Sequence, residues 1–151
     1  MAAVQLFLTL NYHSPGDGSK TIEETLKSMT SIEQVMQVRA DHASEAKLEL
    51  TFDPEQVSLS EIETVIQKNG ASVTSVFVHF SGMITGMNDP YSASAKSFSI
   101  EEHIGGIEGI NSVSTSPGGE VKIEIAPGHT NKDNIINSTF EILMLDQNEK
   151  P

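Results

Sequence analysis

His79, Met83 and Met87 place one imidazole and two thioethers on a single stretch of chain, just beyond the alternating run Val76-Phe77-Val78. Thioether sulfur and imidazole nitrogen suit Cu(I), and imidazole also suits zinc, so these three are the candidate metal ligands. A copper or zinc ion held this way would be bound weakly, because the chain has no cysteine and therefore no thiolate to offer. The same absence removes disulfides and thiol catalysis. Methionines at this spacing also serve as gap-fillers against apolar surface, so the pattern admits a purely structural reading.

Other reactive types do not assemble into catalytic sets. Glu23-Glu24 and Glu101-Glu102 are adjacent pairs at helix starts. Neighbours on a helix do not face one another, and first-turn acids are explained by the helix dipole. His13 beside Asp17, His42 and His129 fall in polar turns without evident partners, and His103 flanks a helix stripe at the surface. Pro117-Gly118-Gly119 reads as a hairpin turn and lacks the lysine-plus-hydroxyl ending of a phosphate loop. No nucleophile–base pair or acid dyad emerges, so the expected class is non-enzymatic.

These residues must be positioned by regular elements. Val4, Leu6, Leu8 and Leu10 alternate with Gln5, Phe7 and Thr9 as a strand. Thr21 and Glu24 read as a capping box opening a short helix striped by Ile22, Leu26 and Met29. Val35 to Ala40 reads as a second strand, Leu48, Leu50 and Phe52 mark a third, and Asp53-Pro54 ends it. Ser58 caps a helix bearing Ile62, Val65 and Ile66, with Gly70 as its stop. Strand character resumes at Val73 and runs to Phe80 without a linker. Phe7, Phe77 and His79 point away from the inner ladder. They are the candidate partner-binding residues on the sheet face that helices leave uncovered.

The pattern then repeats. Shifted by 78 residues, Ile22, Leu26, Met29, Ile32 and Val35 fall on Ile100, Ile104, Ile107, Ile110 and Val113. The expectation is an α+β chain of two tandem ferredoxin-like βαββαβ units, residues 1–75 and 76–151, each an antiparallel sheet with its helices on one face. Residues 139–145 fit either a fourth strand or the tail of a helix beginning near Asn131. The long 81–97 segment interrupts the second unit before its first helix; segments of that length are often functional.

Nine basic residues against 21 acidic ones give a net charge of −12, and Arg39 is the only arginine. Nucleic-acid binding needs clustered Lys and Arg, and anionic membranes repel such a surface, so neither partner is expected. No stretch approaches the ~20 apolar residues of a membrane span. The opening segment has no basic leader, and a cytoplasmic protein is the expectation.

The residues resemble the heavy-metal-associated domain of copper chaperones and metal-pumping ATPases. That family places I-E-x-x-L-x-x-L-x-G-V after its metal loop. Here Ile22-Glu23, Leu26, Met29 and Ile32 stand at those positions, with Ser31 at the usual glycine, and Ile107-Glu108-Gly109-Ile110 is closer in the second copy. Leu50-Thr51-Phe52-Asp53-Pro54, then Ile62, Ile66 and Gly70, match the family's later motif. The resemblance covers residues 4–76 and, more weakly, 76–145. It implies metal handling, or protein contact in a metal-transport setting. Yet the family's G-M-T-C-x-x-C loop is lost: Pro15 and Gly18, then Ala93 and Lys96, stand at its cysteine positions, and His13 at its methionine. Any retained metal binding would therefore fall to Met and His. The alternatives are a protein–protein module, or a sensor that takes a small ligand between its units as ACT domains do. An acylphosphatase reading fails for want of an arginine in the loop after either first strand.

Overall fold

A computed structural model describes residues 4–13, 18–39, 43–80, 100–115, 120–129 and 131–148. The chain is α+β. Among the described residues the strands are β1 (Val4–Tyr12), β2 (Ile32–Arg39), β3 (Glu45–Phe52), β4 (Ala71–Phe80), β5 (Ile110–Thr115) and β6 (Val121–Ile125). The helices are α1 (Gly18–Ser28), α2 (Leu59–Lys68), α3 (residues 100–105) and α4 (Lys132–Asn148). Hydrogen bonding orders the strands β2-β3-β1-β4-β6-β5. By compactness the chain divides into Met1–Phe77 and Val78–Pro151, with the division falling inside β4.

In the first unit β1 and β2 both pair antiparallel with β3. One face of that sheet carries Leu6, Leu8, Leu48 and Leu50, all buried with Ile22 and Leu26 of α1 and Ile62 and Ile66 of α2. Alternation thus decides which strand residues enter the core, and the i, i+4 stripe decides which helical ones do. Ser58 caps α2, its Oγ accepting the Glu61 amide at 3.1 Å. Val57 and Ile62, spaced for a hydrophobic staple, are both buried. Gly70 leaves the helix at φ +84°, a conformation that suits glycine.

Two boundaries differ from the sequence reading. α1 begins at Gly18, so Thr21 lies inside the helix rather than capping it. Nothing between Gly18 and Thr21 forbids helix, and the winding starts one turn early. β2 begins at Ile32 rather than Val35, because Ile32 and Glu33 already pair with Phe52 and Thr51 before a register shift ahead of Met36.

The second unit packs Val78, Phe80, Ile100, Ile104, Ile123 and Ile125 into its own core, and β5 pairs antiparallel with β6. Residues 139–145 are helical, so the described second unit reads β-α-β-β-α and carries no fourth strand of its own. Ile135, Thr139 and Leu143 recur every fourth residue and are all buried, which is helix periodicity. The buried Thr139 hydroxyl donates to the Ile135 carbonyl at 2.8 Å, and Phe140 meets Phe80 edge-on with ring centres 5.1 Å apart.

Local geometry recurs at the 78-residue offset. The Gln37 amide donates to the Glu23 carboxylate at 3.2 Å, and the Thr115 hydroxyl donates to Glu101 at 2.9 Å. Ser31 and Gly109 both have positive φ, +70° and +99°. Their carbonyls accept the amides of Asp53 and Ala126, each of which precedes a proline.

Candidate functional site

The register of the first sheet arranges its outer face in rows. Phe7 lies opposite Glu49, which lies opposite Met36; Thr9 lies opposite Lys47, which lies opposite Val38. Directly paired residues share a face, so these six side chains sit opposite the helices. Met36 is 51% and Val38 63% exposed, the large apolar side chains most open to water among the described residues. Lys47 Nζ reaches Thr9 Oγ1 at 3.0 Å, and the Thr51 hydroxyl donates to Gln34 Oε1 at 3.2 Å, which ties the polar members along the sheet.

Among the described residues, the corresponding β5–β6 pairs of the second unit are polar. Ser112 lies opposite Glu124 and Ser114 opposite Lys122. At the 78-residue offset Ser114 occupies the place of Met36. The apolar surface is therefore a feature of the first unit's sheet face, not a general consequence of the strand pattern.

Phe7 lies in this array, opposite Glu49. Phe77, in the same unit, and His79, in the second, alternate with buried Val76, Val78 and Phe80 and are half-buried on the other side of their strand. His79 is engaged within its own unit: its Nε2 meets Glu120 Oε2 at 2.6 Å. Met36, Val38 and Glu49 were not singled out by sequence. The signal was present as alternation in β2, but the bulge at its start hides which parity faces outward.

The metal candidates separate differently. Met83 and Met87 lie outside the described residues, as do His42 and the rest of the 81–97 segment. Among the described residues no three His, Asp or Glu side chains cluster as a metal site. Of the proposed set, His79 alone can be placed, and a carboxylate already holds its Nε2.

A second polar group lies at one end of the first sheet. The Tyr12 hydroxyl donates to Gln37 Oε1, and the Arg39 guanidinium carbon lies 4.1 Å from the centre of the Tyr12 ring. Arg39 is opposite the small, buried Ala46, and its Nε donates to the Ala43 carbonyl at 2.7 Å. Burial pushes the Tyr12 hydroxyl above its usual range, against the opposing pull of the Arg39 charge and the Gln37 hydrogen bond. Nearby in the strand ends, His13 Nε2 and Ser72 Oγ are 2.9 Å apart. His129 also has a partner that sequence did not reveal: its Nδ1 accepts the Asn131 amide at 3.1 Å, ahead of α4.

No family model matches the sequence, and no curated protein matches it. Solved structures resemble the fold at low identity. The water-soluble region of the P-type ATPase CopA from Bacillus subtilis is 19% identical over 94% of this chain and 89% of that one, with a TM-score of 0.42. The N-terminal extension of CzcP from Cupriavidus metallidurans is 14% identical, covering 91% and 95%, at 0.34. The regulatory subunit of aspartate kinase from Thermus thermophilus is 14% identical, covering 96% and 92%, at 0.36. Such distant likeness concerns architecture, and no activity is drawn from it. No described helix is long and apolar enough to cross a membrane.

Proposed function

We propose that this chain is a non-enzymatic binding protein built from two related units, the first ferredoxin-like and the second a β-α-β-β-α variant, and that it contacts a protein partner through the outer sheet face of the first. The observation that carries the reading is the exposure of Met36, in the cross-strand row of Phe7, and of Val38, in the adjoining row of Thr9. Exposed apolar side chains gathered on one face, rather than scattered singly, mark contact surfaces. The recurring Glu23–Gln37 and Glu101–Thr115 contacts support the tandem arrangement. Affinity capture should be compared between wild type and the double variant Met36→Asp, Val38→Asp, with circular dichroism to establish folding. Loss of captured species from the folded variant is expected; unchanged capture would end this reading.

A second reading keeps the metal. His79 stands two residues before β4 leads into the segment holding Met83 and Met87, with Glu120 in place to orient its ring. In this reading a Cu(I) or zinc ion is weakly bound by His79, Met83 and Met87. Anaerobic titration of the full chain with Cu(I) and with zinc tests it. Saturable binding lost in His79→Ala and in Met83→Leu would support it, and binding indifferent to both would remove it.

A further inference from the structure

The charges around the apolar rows, and the state of the neighbouring strand edge, narrow what can settle on this face. Glu33, Glu45 and Glu49 are exposed on or beside it. The one cation among them, Lys47, is drawn onto Thr9. A second copy would bring the same acids against each other on a chain of net charge −12, so self-pairing is opposed by like-charge repulsion. Strand addition at the free edge of β2 is also obstructed: the Gln37 amide, paired across from Leu48, is already taken by the Glu23 carboxylate reaching over from α1. The face is therefore better suited to a partner than the β2 edge. From β1 across β3 to β2 the rows span two interstrand spacings, roughly 10 Å. That is about the diameter of an α-helix with its side chains.

We propose that the Phe7–Glu49–Met36 and Thr9–Lys47–Val38 rows are the docking surface for a basic amphipathic helix of a partner protein. Its apolar stripe would cover Phe7, Met36 and Val38, and its flanking lysines or arginines would meet Glu33, Glu45 and Glu49. The proposal rests on the contact-surface reading above and adds the chemistry of the partner.

Fluorescence anisotropy with the full chain tests it, using two labelled amphipathic peptides at near-physiological salt, one of Leu and Lys and one of Leu and Glu. The Leu/Lys peptide is expected to bind saturably. Glu49→Lys and Val38→Ser should each weaken it by about tenfold or more, as central contacts do. Glu55→Lys makes the same charge change on an exposed turn away from the rows and should alter binding by less than about twofold. Equal losses from Glu55→Lys and Glu49→Lys would mean mere attraction to an acidic protein and would overturn the proposal. Binding of the Leu/Glu peptide instead, lost in Val38→Ser, would overturn the basic partner while leaving the contact surface standing. If neither peptide binds, the basic-helix partner is overturned, and the capture experiment above decides the contact surface separately.

Discussion

Gly109 and Ser31 answer to the same backbone demand, and exchanging their side chains tests how the second unit is built. Gly109 has φ +99°, and a Cβ there would lie 2.6 Å from Ile135 Cδ1, 2.7 Å from His129 Cδ2 and 2.9 Å from His129 Cγ. For Gly109→Ala the left-handed backbone costs about 1–2 kcal/mol. Forcing the ring and the isoleucine aside costs about 1–3 kcal/mol more. Restricting the unfolded chain returns roughly 0.4–1 kcal/mol. The expected net loss is about 1–5 kcal/mol. Gly70→Ala supplies the control, since φ is +84° but nothing lies within 4 Å of its Cβ, so it bears the backbone cost alone. Ser31→Gly relieves the φ +70° strain, against the added freedom of a glycine in the unfolded chain. It should stabilise by up to about 1.5 kcal/mol. Urea unfolding followed by far-UV circular dichroism, with midpoints compared at constant m, reads all three. If Gly109→Ala is no worse than Gly70→Ala, then His129 and Ile135 do not press on residue 109, and the packing described for the start of α4 is wrong.

Tyr12 gives a pH dependence with a definite sign. Its proton is held more tightly in the folded state, so its contribution is fully present below its ordinary value of 10.0 and is lost as pH rises past it. Melting temperature should fall on the alkaline side more steeply in wild type than in Tyr12→Phe; identical slopes would contradict the assignment. Ser58→Ala removes the acceptor of the Glu61 amide and should cost about 1 kcal/mol in urea unfolding, with Ser58→Asp retaining most of it. A double-mutant cycle on Phe80 and Phe140, each changed to leucine, should show a coupling of about 0.5–1.5 kcal/mol, and zero coupling would deny the edge-on contact.

Much of the candidate site was hidden for a definable reason. Phe7 could be assigned outward because β1 alternates without interruption, whereas the shift between Glu33 and Met36 breaks the parity of β2. Arg39 reads in isolation as a lone surface cation; its stacking on Tyr12 exists because Ala46, opposite it on the intervening strand, is small.

Local pattern was sufficient wherever a residue's fate depends on near neighbours. The buried stripe of Ile22 and Leu26, its echo in Ile100 and Ile104, the Ser58 cap and the unbroken run of β4 to Phe80 all follow from spacing alone. Tertiary structure decided the rest. Residues 139–145 carry apolar side chains at both spacings, and packing of Ile135, Thr139, Leu143 and Phe140 selects the helix. The rows joining Phe7 to Met36 and Thr9 to Val38 are likewise tertiary facts, because cross-strand neighbours come from distant parts of the chain and a one-residue change of register would turn one strand's set to the opposite face.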